Sequence, residues 1–166
     1  KDTVVEIETL QFKDGNMELN PEKSEKTSFD LAKGGVSTVE THEGSNFGDK
    51  IKSGSNIDIM EGGKGADKFI FGNGTGADRI TDFVVKNVDS DSDGKMTSES
   101  DIHADVIHIL KKVNGSTIET AANVLSRVTS TSEGAVINLG GDGNTITLEG
   151  VNSSDLTAAH FVVVEV

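Results

Sequence analysis

Four glycine-rich segments of about nine residues run back to back between Gly44 and Asp82, and no other feature limits the fold so tightly. In register they read G-S-N-F-G-D-K-I-K, S-G-S-N-I-D-I-M-E, G-G-K-G-A-D-K-F-I and a stretched copy, F-G-N-G-T-G-A-D-R-I. Asp49, Asp58 and Asp67 stand nine residues apart, and Ile51, Met60 and Phe69 follow each of them by two. The period is that of G-G-x-G-x-D-x-U-x, and Gly62–Ile70 meets every defined position. A flexible Gly/Ser/Asn linker draws on the same residue types. It leaves unexplained why an aspartate and a large apolar residue recur in phase.

The spacing predicts a turn of six residues and a strand of three, so that each copy is half of a helical coil. The apolar U side chain points into a narrow core, and glycine lets the backbone aim several carbonyls at one point. A calcium ion takes six to eight oxygen ligands at flexible angles, which such carbonyls and carboxylates supply. Successive turns lie on opposite sides, so Gly44–Asp49 pairs with Gly62–Asp67, and Gly54–Asp58 with the stretched turn Gly72–Asp78. The candidate ligands are Gly44, Asn46 and Asp49, then Gly54, Asn56 and Asp58, on the first two turns. Gly62, Lys64, Gly65 and Asp67 belong to the third, and Gly72, Gly74 and Asp78 to the fourth, with Asp82 just beyond. Phe47 and Asn56 replace glycines of the pattern, and the fourth copy is two residues longer, departures that bear on how many ions are held.

Composition agrees with a thin, ion-stapled stack. In 166 residues there are 7 Phe, no Trp or Tyr, and 19 Gly, which is little bulk for one globular core. The net charge of −13 comes from 28 acidic and 15 basic residues. Many of the aspartates lie in metal-loop patterns, so these charges are read as meant for bound cations. Without them the chain repels itself, and at this charge neither nucleic acid nor an anionic membrane surface is an expected partner. Absence of cysteine removes disulfides, thiol catalysis and zinc–thiolate sites. No apolar run is long enough to span a bilayer. The chain starts at Lys1 without a signal peptide and reads as a piece from the end of a longer protein.

Around the repeats the pattern is mainly β. Residues 4–12 alternate as a strand, 13–16 form a turn, Met17–Leu19 is a short strand, 20–26 a loop, and Thr27–Ala32 a further strand. Arg79–Val85 reads as an extended exit strand and Asp105–Leu110 as another. Ser116 and Glu119 make a capping box for a helix of about three turns carrying Ala121, Ala122, Val124, Leu125 and Val128. Ala135–Leu139 and Thr145–Leu148 form a hairpin, a helical bit follows near Leu156–Ala159, and Phe161–Val166 is a last apolar run. Three parts follow: 1–42, N-terminal strands; 43–83, the repeats; and 84–166, a C-terminal cap.

A second metal loop lies in that cap. Asp89, Asp91 and Asp93 alternate ahead of Gly94, the opening of an EF-hand-type loop in which positions 1, 3 and 5 give carboxylates. Lys95 would donate its carbonyl from position 7, and Ser100 stands where a bidentate Glu belongs. Glu99 or Asp101 is left to close the loop.

Catalytic motifs are missing. His42, His103, His108 and His160 are scattered, with no H-E-x-x-H. There is no G-x-S-x-G elbow and no G-K-[ST] after the glycines, so enzyme activity is not expected.

The stretch G-G-K-G-A-D-K-F-I-F, followed by G-T-G-A-D-R-I-T-D-F over residues 62–83, resembles the RTX (repeats-in-toxin) proteins exported by type I secretion. Residues 4–19 look like the strand that closes a preceding RTX block, and 144–166 are similar to the family's uncleaved secretion-signal end. The resemblance implies a calcium-stapled parallel β-roll binding several Ca2+ ions. It also implies a chain that stays extended without them, passes the type I exporter C-terminus first and folds outside. It further implies a secreted or bacterial cell-surface location, a monomer, and a parent protein such as an adhesin or toxin. The alternative is a module that binds a polysaccharide or cell-surface ligand for an enzyme or adhesin upstream.

Overall fold

The computed structural model describes residues 9–12, 15–18, 28–30, 39–88 and 103–165. The chain is mainly β. Strands β1 (Thr9–Phe12) and β2 (Gly15–Glu18) form an antiparallel pair, and β3 (Ser28–Asp30) follows. The repeats give β4 (Val39–Ser45), β5 (Lys50–Lys52), β6 (Ile57–Gly63), β7 (Lys68–Phe71) and β8 (Ala77–Ile80). Beyond them come β9 (Val106–Leu110), the helix α1 (Ala121–Leu125), β10 (Val128–Ser130), β11 (Gly134–Asn138), β12 (Thr145–Glu149) and β13 (Phe161–Val164).

From β3 to β9 consecutive strands alternate between two sheets and pair in parallel with the strand two places on. One sheet runs β13-β9-β7-β5-β3 and the other β10-β11-β12-β8-β6-β4. The register carries the repeat into three dimensions. Ile51 stands beside Phe69, Phe69 beside Ile107, and Ile107 beside Phe161. In the other sheet Met60 pairs with Ile80 and Ile80 with Leu148. All of these are buried, so the apolar residues two places after each aspartate become two continuous columns in one core. Parallel strands buried on their inner face need such unbroken apolar columns.

The last hairpin continues the stack: β12 lies parallel to β8, β11 and β10 extend it antiparallel, and β13 lies parallel to β9. The tail thus sits in the sheet opposite Ile146 and Leu148. β4 runs across the boundary expected at residue 42.

Three local expectations are corrected. The exit strand stops at Ile80, because Asp82 and Val84 turn their polar groups to neighbouring coils. The helix is five residues long, and its capping box is Thr120 with Asn123, whose side chains each accept the other's backbone amide. Ser116 instead caps a 3-10 turn at Val113–Gly115, while buried Ile118 accepts from the Lys112 amide and holds this segment over the core. Val128, expected on the helix, opens β10, a strand not foreseen.

Candidate metal centre

The turns stack as the spacing requires. A side chain added at Gly44 would collide with the Gly62 carbonyl, and one at Gly48 would come within 2.7 Å of the Ala66 oxygen. On the other side, one at Gly76 would come within 2.5 Å of the Asn56 oxygen. Gly65, at φ +115°, has its backbone against Phe47 and Gly48 and lies in the region that L side chains avoid.

The aspartates form ladders across these turns. The Asp49 amide donates to Asp67 Oδ1 at 2.8 Å, and the Asp67 amide to Asp105 Oδ1 at 2.9 Å. On the opposite side the Asp58 amide donates to Asp78 Oδ1 at 3.0 Å. All five aspartates are buried. Both expected turn pairs are therefore in contact, joined by an aspartate reaching back one coil.

The second carboxylate oxygen divides the turns into two kinds. In the early ones it accepts the amide four residues earlier: Ser45 donates to Asp49 Oδ2 at 2.6 Å and Gly54 to Asp58 Oδ2 at 2.7 Å. In the later ones that amide is taken elsewhere. Gly63 donates to Asp82 Oδ2 at 2.7 Å, and Gly74 to Asn114 Oδ1 at 2.7 Å. Asp67 Oδ2 and Asp78 Oδ2 are left buried with no hydrogen-bond partner.

Around Asp67 Oδ2 there is a cradle that a Cβ at Gly62 would fill. Near Asp78 the hydroxyls of buried Ser53 and Thr75 oppose its upward pKa shift, yet neither completes a well-aligned hydrogen bond. Burial pushes Asp67 up to about 6, and Asp78 and Asp105 up to about 7. Amide donors pull each back, and neighbouring aspartates push it further up. A buried carboxylate in this position either keeps its proton or needs a cation. The donors at hand are carboxylate, hydroxyl and backbone carbonyl oxygens, the hard set that suits calcium.

The remaining predicted ligands are placed as follows. Asp82 accepts from the Gly62 amide at 2.9 Å as well as from Gly63, so it clamps the turn. Asn56 Nδ2 donates to Glu40 Oε1 at 3.3 Å. The side chains of Asn46 and Lys64 are exposed, although the Lys64 amide ties its turn to the Ser45 carbonyl. Gly72 has open space where a side chain would begin. Asp89, Asp91, Asp93, Lys95 and Asp101 lie outside the described residues.

Asp105 is the member the repeat reading missed. It occupies the rung after Asp67, and its Oδ2 accepts the Val84 amide at 2.8 Å while its own amide donates to the Val84 carbonyl. The signal was present: Asp105 precedes Ile107 by two, the same step as Asp67 to Phe69. A separation of 38 residues along the chain between the two aspartates hid the phase. Asn144 was also missed; its Oδ1 accepts the Gly76 amide at 3.1 Å.

In comparisons with known proteins, no family profile and no curated protein matches this chain.

Proposed function

We propose that this chain is a non-catalytic calcium-binding module, a calcium-stapled parallel β-roll of RTX type that folds on export from a bacterial cell. The observation that carries this reading is the pair of buried carboxylate oxygens, Asp67 Oδ2 and Asp78 Oδ2, left without partners inside stacked glycine turns. Asp67 with the Gly44–Asp49 turn would hold one ion, and Asp78 with Ser53, Thr75 and the Gly54–Asp58 turn another. Bound there, calcium supplies the positive charge that lets these carboxylates stay ionised while buried. An ion that binds only the folded chain stabilises it as its concentration passes the dissociation constant. Extracellular calcium modules bind at roughly 10⁻⁴–10⁻³ M, so export itself is the switch. Asp89, Asp91 and Asp93 would hold a further ion, and residues 144–166 would carry the type I secretion signal of a larger adhesin or toxin.

Circular dichroism tests the first part: EGTA at neutral pH gives mostly coil, and millimolar calcium restores the β signal. A β spectrum indifferent to EGTA would refute it. For export, residues 101–166 are fused to a passenger in cells with a type I exporter. Secretion is lost when 144–166 are removed, with folding scored separately because that deletion also removes β12 and β13.

A further inference from the structure

Among the described residues, one ladder breaks its pattern at its N-terminal end. Asp67, Asp78 and Asp105 each use Oδ1 to accept the amide of the aspartate one coil earlier. Asp58 pairs in register with Glu40, but its Oδ1 accepts nothing and is buried. It lies 3.9 Å from His42 Nε2, itself buried and without a hydrogen-bond partner. Glu40 Oε2 is 3.9 Å from the same nitrogen, and Glu40 Oε1 is held by Asn56 Nδ2.

His42 is in register with Met60, so it stands at the end of the Met60–Ile80–Leu148 column, where the repeat would place an apolar side chain. Among the described residues β4 is the edge of its sheet, and solvent reaches the site: His42 is 16 % and Glu40 35 % exposed, against 0 % for Asp58.

We infer that Glu40, His42 and Asp58 form a second kind of metal site, for a divalent transition ion of the zinc class, at the open end of the stack. The three ligand atoms lie within 4.8 Å of one another. Zinc takes imidazole nitrogen and carboxylate oxygen at about 2.0–2.2 Å, commonly with three protein ligands and a water in the fourth position. A small inward movement of the side chains at this edge brings all three atoms within reach of one ion. The nitrogen ligand separates this site from the all-oxygen calcium turns, since calcium takes oxygen donors.

Untagged protein saturated with calcium is titrated with zinc by calorimetry and with cobalt by visible absorption. The expected result is one tight equivalent of zinc that displaces cobalt, lost in both His42→Ala and Glu40→Gln, with the calcium midpoint of folding unchanged. Histidine NMR on the wild type gives a second reading: zinc shifts the His42 ring resonances ahead of those of His103, His108 and His160. The inference is overturned if wild-type protein takes up no tight zinc, if His42→Ala binds as before, or if another histidine responds first. Failure to fold in calcium would instead count against the calcium reading and appears separately in the dichroism.

Discussion

The two halves of the paired sheets are stabilised differently. Between residues 44 and 82 each coil buries an aspartate beside its apolar residue: Asp49 with Ile51, Asp58 with Met60, Asp67 with Phe69, Asp78 with Ile80. Beyond β9 the same sheets continue on apolar side chains. Ile146 stands in register with Asp78, and Ile137, Leu139, Leu148, Val124 and Leu156 fill the cap. A stack that buries carboxylates is stable only while something neutralises them, whereas apolar columns stabilise in any ionic condition. The cap closes one end of a charge-dependent coil with a charge-independent plug.

Hydrogen exchange in EGTA tests this division with the largest expected effect. Amides of Asp49, Asp58 and Asp67 lose protection, while those of β11 and β12 keep more of theirs; uniform loss along the chain would make the two halves a single cooperative unit. Next in size is the difference between two aspartates of one ladder. Asp67→Ala raises the calcium midpoint of folding more than Asp49→Ala, because Asp49 Oδ2 is already satisfied by Ser45 whereas Asp67 Oδ2 is not. Equal midpoints would remove the distinction between early and late turns.

Acid gives a smaller effect of defined sign. Asp67, Asp78 and Asp105 rise from 3.8 to about 6, 7 and 7 in the ion-free fold, so that fold binds more protons than the unfolded chain. Their contribution is complete below 3.8 and is lost as pH rises through 6 to 7. His42 and His108, lowered from 6.5 chiefly by burial, oppose this as pH falls. In EGTA the chain therefore gains β signal between about pH 8 and pH 5. Because Asp67 and Asp78 must release those protons to ligate, the affinity of the already folded chain for calcium falls over the same interval as protons compete with the ion. A calcium affinity of the folded chain that is independent of pH would mean that Asp67 and Asp78 are not ligands. The smallest effect belongs to Arg79, which joins the halves through Glu149 at 2.6 Å and Glu133 at 3.0 Å. The pairs are partly exposed, so Arg79→Ala lowers stability by less than about 1 kcal/mol in urea denaturation.

Much of the candidate site was legible because its period is local. Asp49, Asp58 and Asp67 could be placed from spacing, and so could the pairing of turns eighteen residues apart. Asp105 and Asn144 were not, because they lie 38 and 68 residues along the chain from the Asp67 and Gly76 amides they accept. The helix start was misplaced for a related reason: Ser116 and Glu119 satisfy the local capping pattern, but Ile118 between them is buried in the core and commits that segment to a turn.

The sequence by itself determined the mainly β character, the coil period, and which residues face inward, since a nine-residue repeat of turn and strand leaves the apolar position one direction to point. Only the tertiary structure decided which aspartates keep an unpartnered Oδ2. That depends on whether the amide four residues earlier is free or has been taken by Asp82 or Asn114, which lie 19 and 40 residues along the chain from Gly63 and Gly74. Hydrogen bonds of that range follow from how the coils stack, and no local pattern encodes them.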